Sequence, residues 1–149
     1  MASASIKKII PCKKKDLISM VLDIEKYPEF VPWCIDGKVN EKKESEDLIE
    51  IKGVLKVGKK FLNDSYTSLV LYYKDKDKII VTNIDGPLKH LQNEWKFKEI
   101  NNQTQLEFDI DFELKNSLLN AIMKKSFNLG LSKIADAFEK RAIKLFKDS

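Results

Sequence analysis

Residues Gln92–Leu114 read QNEWKFKEINNQTQLEFDIDFEL, two alternating runs separated by the dipeptide Asn101-Asn102. Asparagine tolerates a positive φ, so this dipeptide suits a two-residue hairpin loop. With Ile100 opposite Gln103, Phe97 faces Leu106 and Trp95 faces Phe108 on one side, while Lys96 faces Glu107 on the other. Apolar meets apolar and cation meets anion, and a slip of one residue would turn every side chain to the wrong face. The second run continues the pattern: Leu106, Phe108, Ile110, Phe112 and Leu114 alternate with Glu107, Asp109, Asp111 and Glu113. The acidic row reads as a solvated outer face partly neutralised by lysines of a neighbouring strand, with metal-binding carboxylates as the alternative.

Working outward, Ile49, Ile51, Gly53, Leu55 and Val57 alternate with Glu50, Lys52 and Lys56, a second half-buried antiparallel pattern. Phe61–Tyr73 is β-rich but mixed on both faces, and its inward face is not assigned. Lys74–Lys78 reads as a charged turn, Ile79–Ile84 as a strand and Asp85-Gly86-Pro87 as a breaker. Upstream, Ile6–Ile10 is a short strand ended by Pro11. Leu17, Ile18, Val21, Leu22 and Ile24 then recur at helical spacing, in a helix expected to stop before Tyr27 because Pro28 disfavours the α region there. Downstream of Asn116-Ser117, a helical pattern runs to Ser149 with Ile122, Met123, Phe127, Leu131, Ile134, Phe138 and Ala142 on one face. Lys124, Lys133, Lys140, Arg141 and Lys144 occupy the other. Gly130 interrupts this helix, where glycine marks a close approach or room left for something else. A sheet with one apolar face and one long amphipathic helix have an economical joint solution, in which the sheet curls and grips the helix. The expected fold is therefore α+β, a helix-grip with a curled antiparallel sheet of about six strands around a long C-terminal helix, in one domain spanning residues 1–149.

The length of 149 residues allows a core that needs neither disulfide nor metal, since a chain of this size buries about 68–70% of its unfolded surface. Leu118-Leu119 and Ala121-Ile122-Met123 are broken by Asn120 and followed by Lys124-Lys125, short of the ~20 apolar residues of a spanning helix. Met1–Pro11 lacks the apolar run of a secretory leader. A cytoplasmic protein is expected, with peripheral contact to an inner membrane face and with Cys12 and Cys34 as reduced thiols. Net charge is +4, yet Arg141 is the only arginine among 27 basic residues. Lysine is a solvated point charge without the planar fork used to read guanine, so no specific DNA partner is expected. The lysine pairs read as solvated surface, with attraction to an anionic membrane surface or RNA as the alternative.

His90 is the single histidine, and Cys12 and Cys34 lack CxxC spacing, so no zinc site is expected. The five glycines form no nucleotide-binding or nucleophile-elbow motif. His90, taken as a loop residue without a fixed partner, and Cys34 are weak candidates for catalysis. Neither an enzymatic activity nor a cofactor is expected.

What remains is a convergence of apolar side chains. Trp95, Phe108 and Phe112 come from the sheet, Met123, Phe127 and Leu131 from the helix, and Tyr27, Phe30, Val31 and Trp33 from a proline-bounded turn. Leu88 and Leu91 come from a second segment read as a loop. Each residue singly reads as core, but loops that carry large apolar side chains cover or bind something. These twelve residues are the candidate ligand-binding set, and no catalytic or metal-binding residue accompanies them.

The same residues carry a resemblance. Tyr27-Pro28-Glu29-Phe30-Val31-Pro32-Trp33-Cys34 and Asp85-Gly86-Pro87-Leu88-Lys89-His90-Leu91, followed by Trp95-Lys96-Phe97 and the alternating strand to Leu114, resemble the coenzyme Q-binding protein family of START-like domains, from about Ser5 to Ala142. That family includes the bacterial ribosome association toxin. The resemblance implies a helix-grip fold whose cavity holds a hydrophobic isoprenoid ligand, ubiquinone in the best-known members, in support of respiratory electron transfer. It implies binding or delivery instead of catalysis, with a ribosome-binding role that blocks subunit association as the alternative. A polyketide cyclase activity has fold analogy alone behind it. Leu88 departs from the phenylalanine usual in these relatives, which removes aromatic surface, while Trp33 is closer to the quinone-binding branch.

Overall fold

The computed structural model describes residues 2–59 and 62–146, with the backbone alone at residues 2, 59, 62, 63, 119, 123, 125 and 126. In chain order it comprises β1 (Ala2–Ile10), α1 (Lys14–Leu22), a 3-10 helix (Ile24–Glu29), β2 (Cys34–Glu44), β3 (Leu48–Lys59) and β4 (Leu62–Tyr73). These are followed by β5 (Lys78–Asp85), β6 (Leu88–Ile100), β7 (Gln103–Leu114) and α2 (Ser117–Phe146). All seven strands form one antiparallel sheet in the order β1-β7-β6-β5-β4-β3-β2. The sheet has seven strands and not about six because β1 joins the edge of β7, pairing Ile6 with Phe108.

The hairpin register is the one read from the sequence: Trp95 pairs with Phe108, Lys96 with Glu107, Phe97 with Leu106 and Ile100 with Gln103. Asn101 and Asn102 turn the chain at φ 51° and 66°. The acidic row of β7 meets cations from both neighbours, Lys7 at 3.3 Å from Glu107 and Lys89 at 3.8 Å from Glu113. Register shifts at Cys34/Asp36, Val39/Glu41, Thr67/Ser68 and Leu88/His90 interrupt the ladders, and such bulges bend strands and increase twist, curling the sheet.

Two local expectations are corrected. The α-helix ends at Leu22, but helical backbone resumes as the 3-10 helix and carries Tyr27 and Pro28 within it. A 3-10 turn accepts proline's fixed φ near −65°. His90 and Leu91 lie in β6 and not in a loop, and the shift at Leu88/His90 is what disguised their alternation. The C-terminal helix is described to Phe146, and residues 147–149, like Phe61 in the run Phe61–Tyr73, fall outside the described residues.

The concave face of the sheet and α2 enclose the core. Phe138, 3% exposed, is the centre of an aromatic cluster, with ring centroids of Tyr27, Phe30 and Trp95 at 5.5, 5.0 and 5.2 Å, all edge-on. Below it Ala142 is fully buried, and its carbonyl accepts the Cys12 thiol at 3.4 Å. The fully buried Thr104 donates to the Cys12 carbonyl at 2.7 Å, so the chain between β1 and α1 is held against the base of β7. N-terminal to Ala142, between the Phe127–Phe138 stretch of α2 and the sheet, there is a space.

Candidate functional site

The space is a cavity of about 300 Å³. It is walled by the start of β2, residues 53–57 of β3, 66–70 of β4, 88–95 of β6 and 108–114 of β7, and Ile79 and Val81 of β5, beneath the Phe127–Phe138 stretch of α2. Of the twelve residues expected to gather there, ten line it. Tyr27 comes from the 3-10 helix, and Val31 and Trp33 from the segment that follows. Leu88, Leu91 and Trp95 come from β6, Phe108 and Phe112 from β7, and Phe127 and Leu131 from α2. Phe30 is not part of the lining; its ring packs edge-on against Phe138 and beneath the Arg141 guanidinium, 5.1 Å from the ring centre. Met123 lies on α2, and its side chain is outside the described residues. Gly130 does border the cavity, so the missing side chain leaves room there.

Other wall residues had no clear signal. Tyr66, Ser68 and Val70 show that the even-numbered positions of β4 face inward. Leu69 and Leu71 on its other face are half-covered too, so no clean alternation survived. Asn93 had a signal that went unread: it is the one polar residue in the inward row Leu91-Asn93-Trp95-Phe97.

Backbone geometry holds the rim. Trp33 adopts φ 64°, a left-handed conformation costly for a bulky side chain, and its carbonyl accepts Gly58 N–H at 2.8 Å. Gly86 sits at φ 130°, and a Cβ there would stand 2.7 Å from Cβ of Tyr66, so both conformation and space demand glycine. Pairing of β5 with β6 ends at Thr82/Gln92, and the Asn83 side chain bridges the gap beyond it. Its amide nitrogen donates to the Leu88 carbonyl at 3.2 Å and its oxygen accepts Leu91 N–H at 2.9 Å. Lys115 N–H donates to the Pro87 carbonyl at 2.9 Å, tying the start of the helical arm to the same rim.

The described residues lining the cavity include no Asp, Glu, His, Lys or Arg. The polar exceptions are few. The Tyr27 hydroxyl donates to the Val21 carbonyl, and burial pushes this phenol far above its ordinary range. Burial likewise pushes the Tyr66 phenol up to about 12. Both rings keep some surface against the cavity while protein surrounds them on the other sides. Burial also raises the Cys34 thiol, which favours the unreactive protonated form over a nucleophilic thiolate. At neutral pH the wall thus offers neither a charge nor a proton-transfer pair. It can enclose an apolar body and contact a few neutral polar atoms.

Comparison with known proteins adds the following. A sequence profile described as polyketide cyclase/dehydrase and lipid transport matches residues 11–139. The ribosome association toxin RatA of Rickettsia prowazekii is 32% identical over 99% of this chain and 100% of its own length. The mitochondrial coenzyme Q-binding protein COQ10 of Dictyostelium discoideum is 29% identical over 88% of this chain and 64% of its own. Among solved structures, a START superfamily protein from Mycobacterium smegmatis superposes with TM-score 0.82 at 19% identity, covering 97% of this chain and 99% of that one. An aromatase/cyclase from Streptomyces superposes with TM-score 0.78 at 13% identity, covering 95% and 93%. At those identities the two structures establish the shared helix-grip fold.

Proposed function

Because the chain belongs to the polyketide cyclase/dehydrase and lipid transport family, we propose that it binds and delivers a hydrophobic isoprenoid lipid, ubiquinone or a close relative, without transforming it. The observation that carries this reading is the cavity wall itself, largely apolar and, among the described residues, without Asp, Glu, His, Lys or Arg, while burial keeps its two phenols and its thiol protonated at neutral pH. A general acid or base with a pKa near the working pH is what a cyclase mechanism would need. A cavity of about 300 Å³ is at the small end of ligand sites, so it accommodates the head and first part of the chain, and the rest of an isoprenoid tail leaves past the Trp33 and Leu88 rim. Tyr27, Val31, Trp33, Leu88, Leu91, Trp95, Phe108, Phe112, Phe127 and Leu131 are the residues assigned to the ligand. The exposed Lys133, Lys140 and Lys144 of α2 supply attraction to an anionic membrane surface during transfer.

Native mass spectrometry and solvent extraction of protein purified from a quinone-producing host test the reading. The expected result is an isoprenoid quinone at close to one per chain, lost on substituting Trp95 by alanine in protein that still folds. Protein that carries no lipid and takes none up from vesicles containing quinone overturns it.

A second reading rests on the 32% identity with the Rickettsia toxin across its whole length: the chain binds the ribosome and blocks subunit association. Phosphate contacts would make such binding fall steeply with salt. Sucrose-gradient profiles after overexpression decide this reading, which requires loss of joined ribosomes in favour of free subunits; an unchanged profile removes it.

A further inference from the structure

The first half of α2 is apolar on two sides. Its inner side closes the cavity through Phe127, Gly130 and Leu131. On the outer side Leu118 is 70% exposed and Leu129 64%, and Ile122 between them is half-buried. Eleven residues make three helical turns to within about 20°, so Leu118 and Leu129 share one side of the helix about 16 Å apart along its axis, with Ile122 one turn from the first. A helix apolar on all sides is stable when something covers each of them. Ile9 at 61% on β1 and Ile100 at 44% on β6 stand singly on separate strands, and scattered apolar residues of that kind are ordinary surface.

The stripe starts beside the cavity mouth. Lys115 N–H donates to the Pro87 carbonyl at 2.9 Å and Leu114 N–H to Asn120 Oδ1 at 3.1 Å, which fixes the first turn of α2 next to Pro87 and Leu88 of the cavity border. Charge over the same length of helix has one sign: residues 117–135 include Lys124, Lys125 and Lys133 and no acid. The acids that follow, Asp136 and Glu139, are engaged by Lys8 at 2.9 and 3.0 Å. These features select the occupant. A second copy of the chain laid on the stripe about a two-fold axis would set lysines against lysines. RNA would match the lysines and leave the leucines without apolar cover. An anionic bilayer matches both, because acyl chains cover the leucines while the lysines reach the headgroups.

We propose that the outer side of the first half of α2 is a docking surface for an anionic lipid bilayer, with Leu118, Ile122 and Leu129 entering the boundary between headgroups and acyl chains. The helix that closes the cavity then lies in the membrane surface, and an isoprenoid tail leaving past the Leu88 rim passes into acyl chains without crossing water. This inference rests on the lipid-carrying reading and specifies the partner and the surface through which that lipid is exchanged.

Co-sedimentation of the full chain with vesicles of three parts phosphatidylcholine to one part phosphatidylglycerol tests the docking surface. Leu118→Gln combined with Leu129→Gln removes apolar surface and keeps helix propensity. This variant should bind about tenfold more weakly than the native chain, with the same melting transition and the same quinone content per folded chain. Leu129→Gln alone replaces it if the pair loses its melting transition. Ile9→Thr combined with Ile100→Thr should bind as the native chain does. Salt at about 1 M, where the screening length is about 3 Å, should weaken native binding and leave a remainder that the leucine variant lacks. Native binding that is absent, that salt abolishes entirely, that the leucine variant retains, or that the isoleucine variant loses equally overturns the docking surface and leaves lipid carriage standing. A native chain that docks through the stripe yet holds no quinone contradicts carriage and supports the docking surface.

Discussion

Trp33 adopts a left-handed backbone conformation that glycine would take without penalty, and it does so on the rim of the cavity. Strain of this kind costs on the order of 1–3 kcal/mol and persists only where the surroundings hold it in place. Here the Gly58 N–H bonded to the Trp33 carbonyl and the adjoining Cys34 N–H bonded to Val31 at 3.2 Å supply the hold. Relief of strain in Trp33→Gly should offset much of the packing lost with the indole, leaving stability within about 1 kcal/mol of the native chain while ligand affinity falls tenfold or more. Thermal melting and ligand titration on the same preparation check this; a large loss of stability with unchanged affinity per folded molecule would make Trp33 a structural residue only. At this scale the sequence was legible where a residue's type was enough. The bulky apolar side chains of Tyr27–Cys34 could be singled out, but the positive φ of Trp33 and the burial of Ser68 could not. Both are properties of a position among neighbours distant in the chain.

At the scale of elements, the β6–β7 hairpin was readable because its inner and outer rows differ cleanly in polarity. Strand β4 was not, because Tyr66, Ser68 and Val70 inside and Leu69 and Leu71 outside mix polar with apolar on both faces. The 3-10 helix was missed because its six residues are stabilised by what they touch more than by periodicity. Its hold on α2 is specific: Arg141 Nη2 donates to Glu29 Oε1 at 2.7 Å while the guanidinium stacks on Phe30. The Arg141 guanidinium holds the Glu29 carboxyl below the usual carboxylate range. Arg141→Ala should therefore release the 3-10 helix and the rim behind it. Hydrogen exchange is expected to accelerate at Phe30–Cys34 with little change in α1 or β6, and Arg141→Lys should restore it in part at most, since lysine keeps the charge but not the planar stack. Uniform acceleration across the chain, or none, would show that the contact does not latch the rim.

For the whole molecule, the phenols of the cavity wall tie alkaline stability to the fold. Burial pushes the Tyr66 phenol up to about 12 from an ordinary value of 10, and pushes Tyr27 further. A group whose folded value is raised contributes its stabilisation in full below the unfolded value and loses it as pH climbs through the folded one. Stability should thus be insensitive to these phenols up to about pH 10 and fall above it. Phenolate absorbance should show at least two of the four tyrosines ionising only as the native circular dichroism signal is lost. Ionisation of all four near pH 10 with the fold intact would contradict the enclosed wall. The sequence by itself determined the hairpin register, the amphipathic C-terminal helix, the helix-grip layout and the presence of a single histidine, because alternation, helical spacing and residue inventory are local properties of a chain. The tertiary structure alone decided that β1 completes a seventh strand, that even-numbered residues of β4 face inward, and that packing leaves a cavity with Ser68 and Asn93 in its wall. A cavity is a volume left between elements far apart in sequence. Its size and its few polar atoms follow from bulges and side-chain volumes meeting in space, which no single stretch of sequence contains.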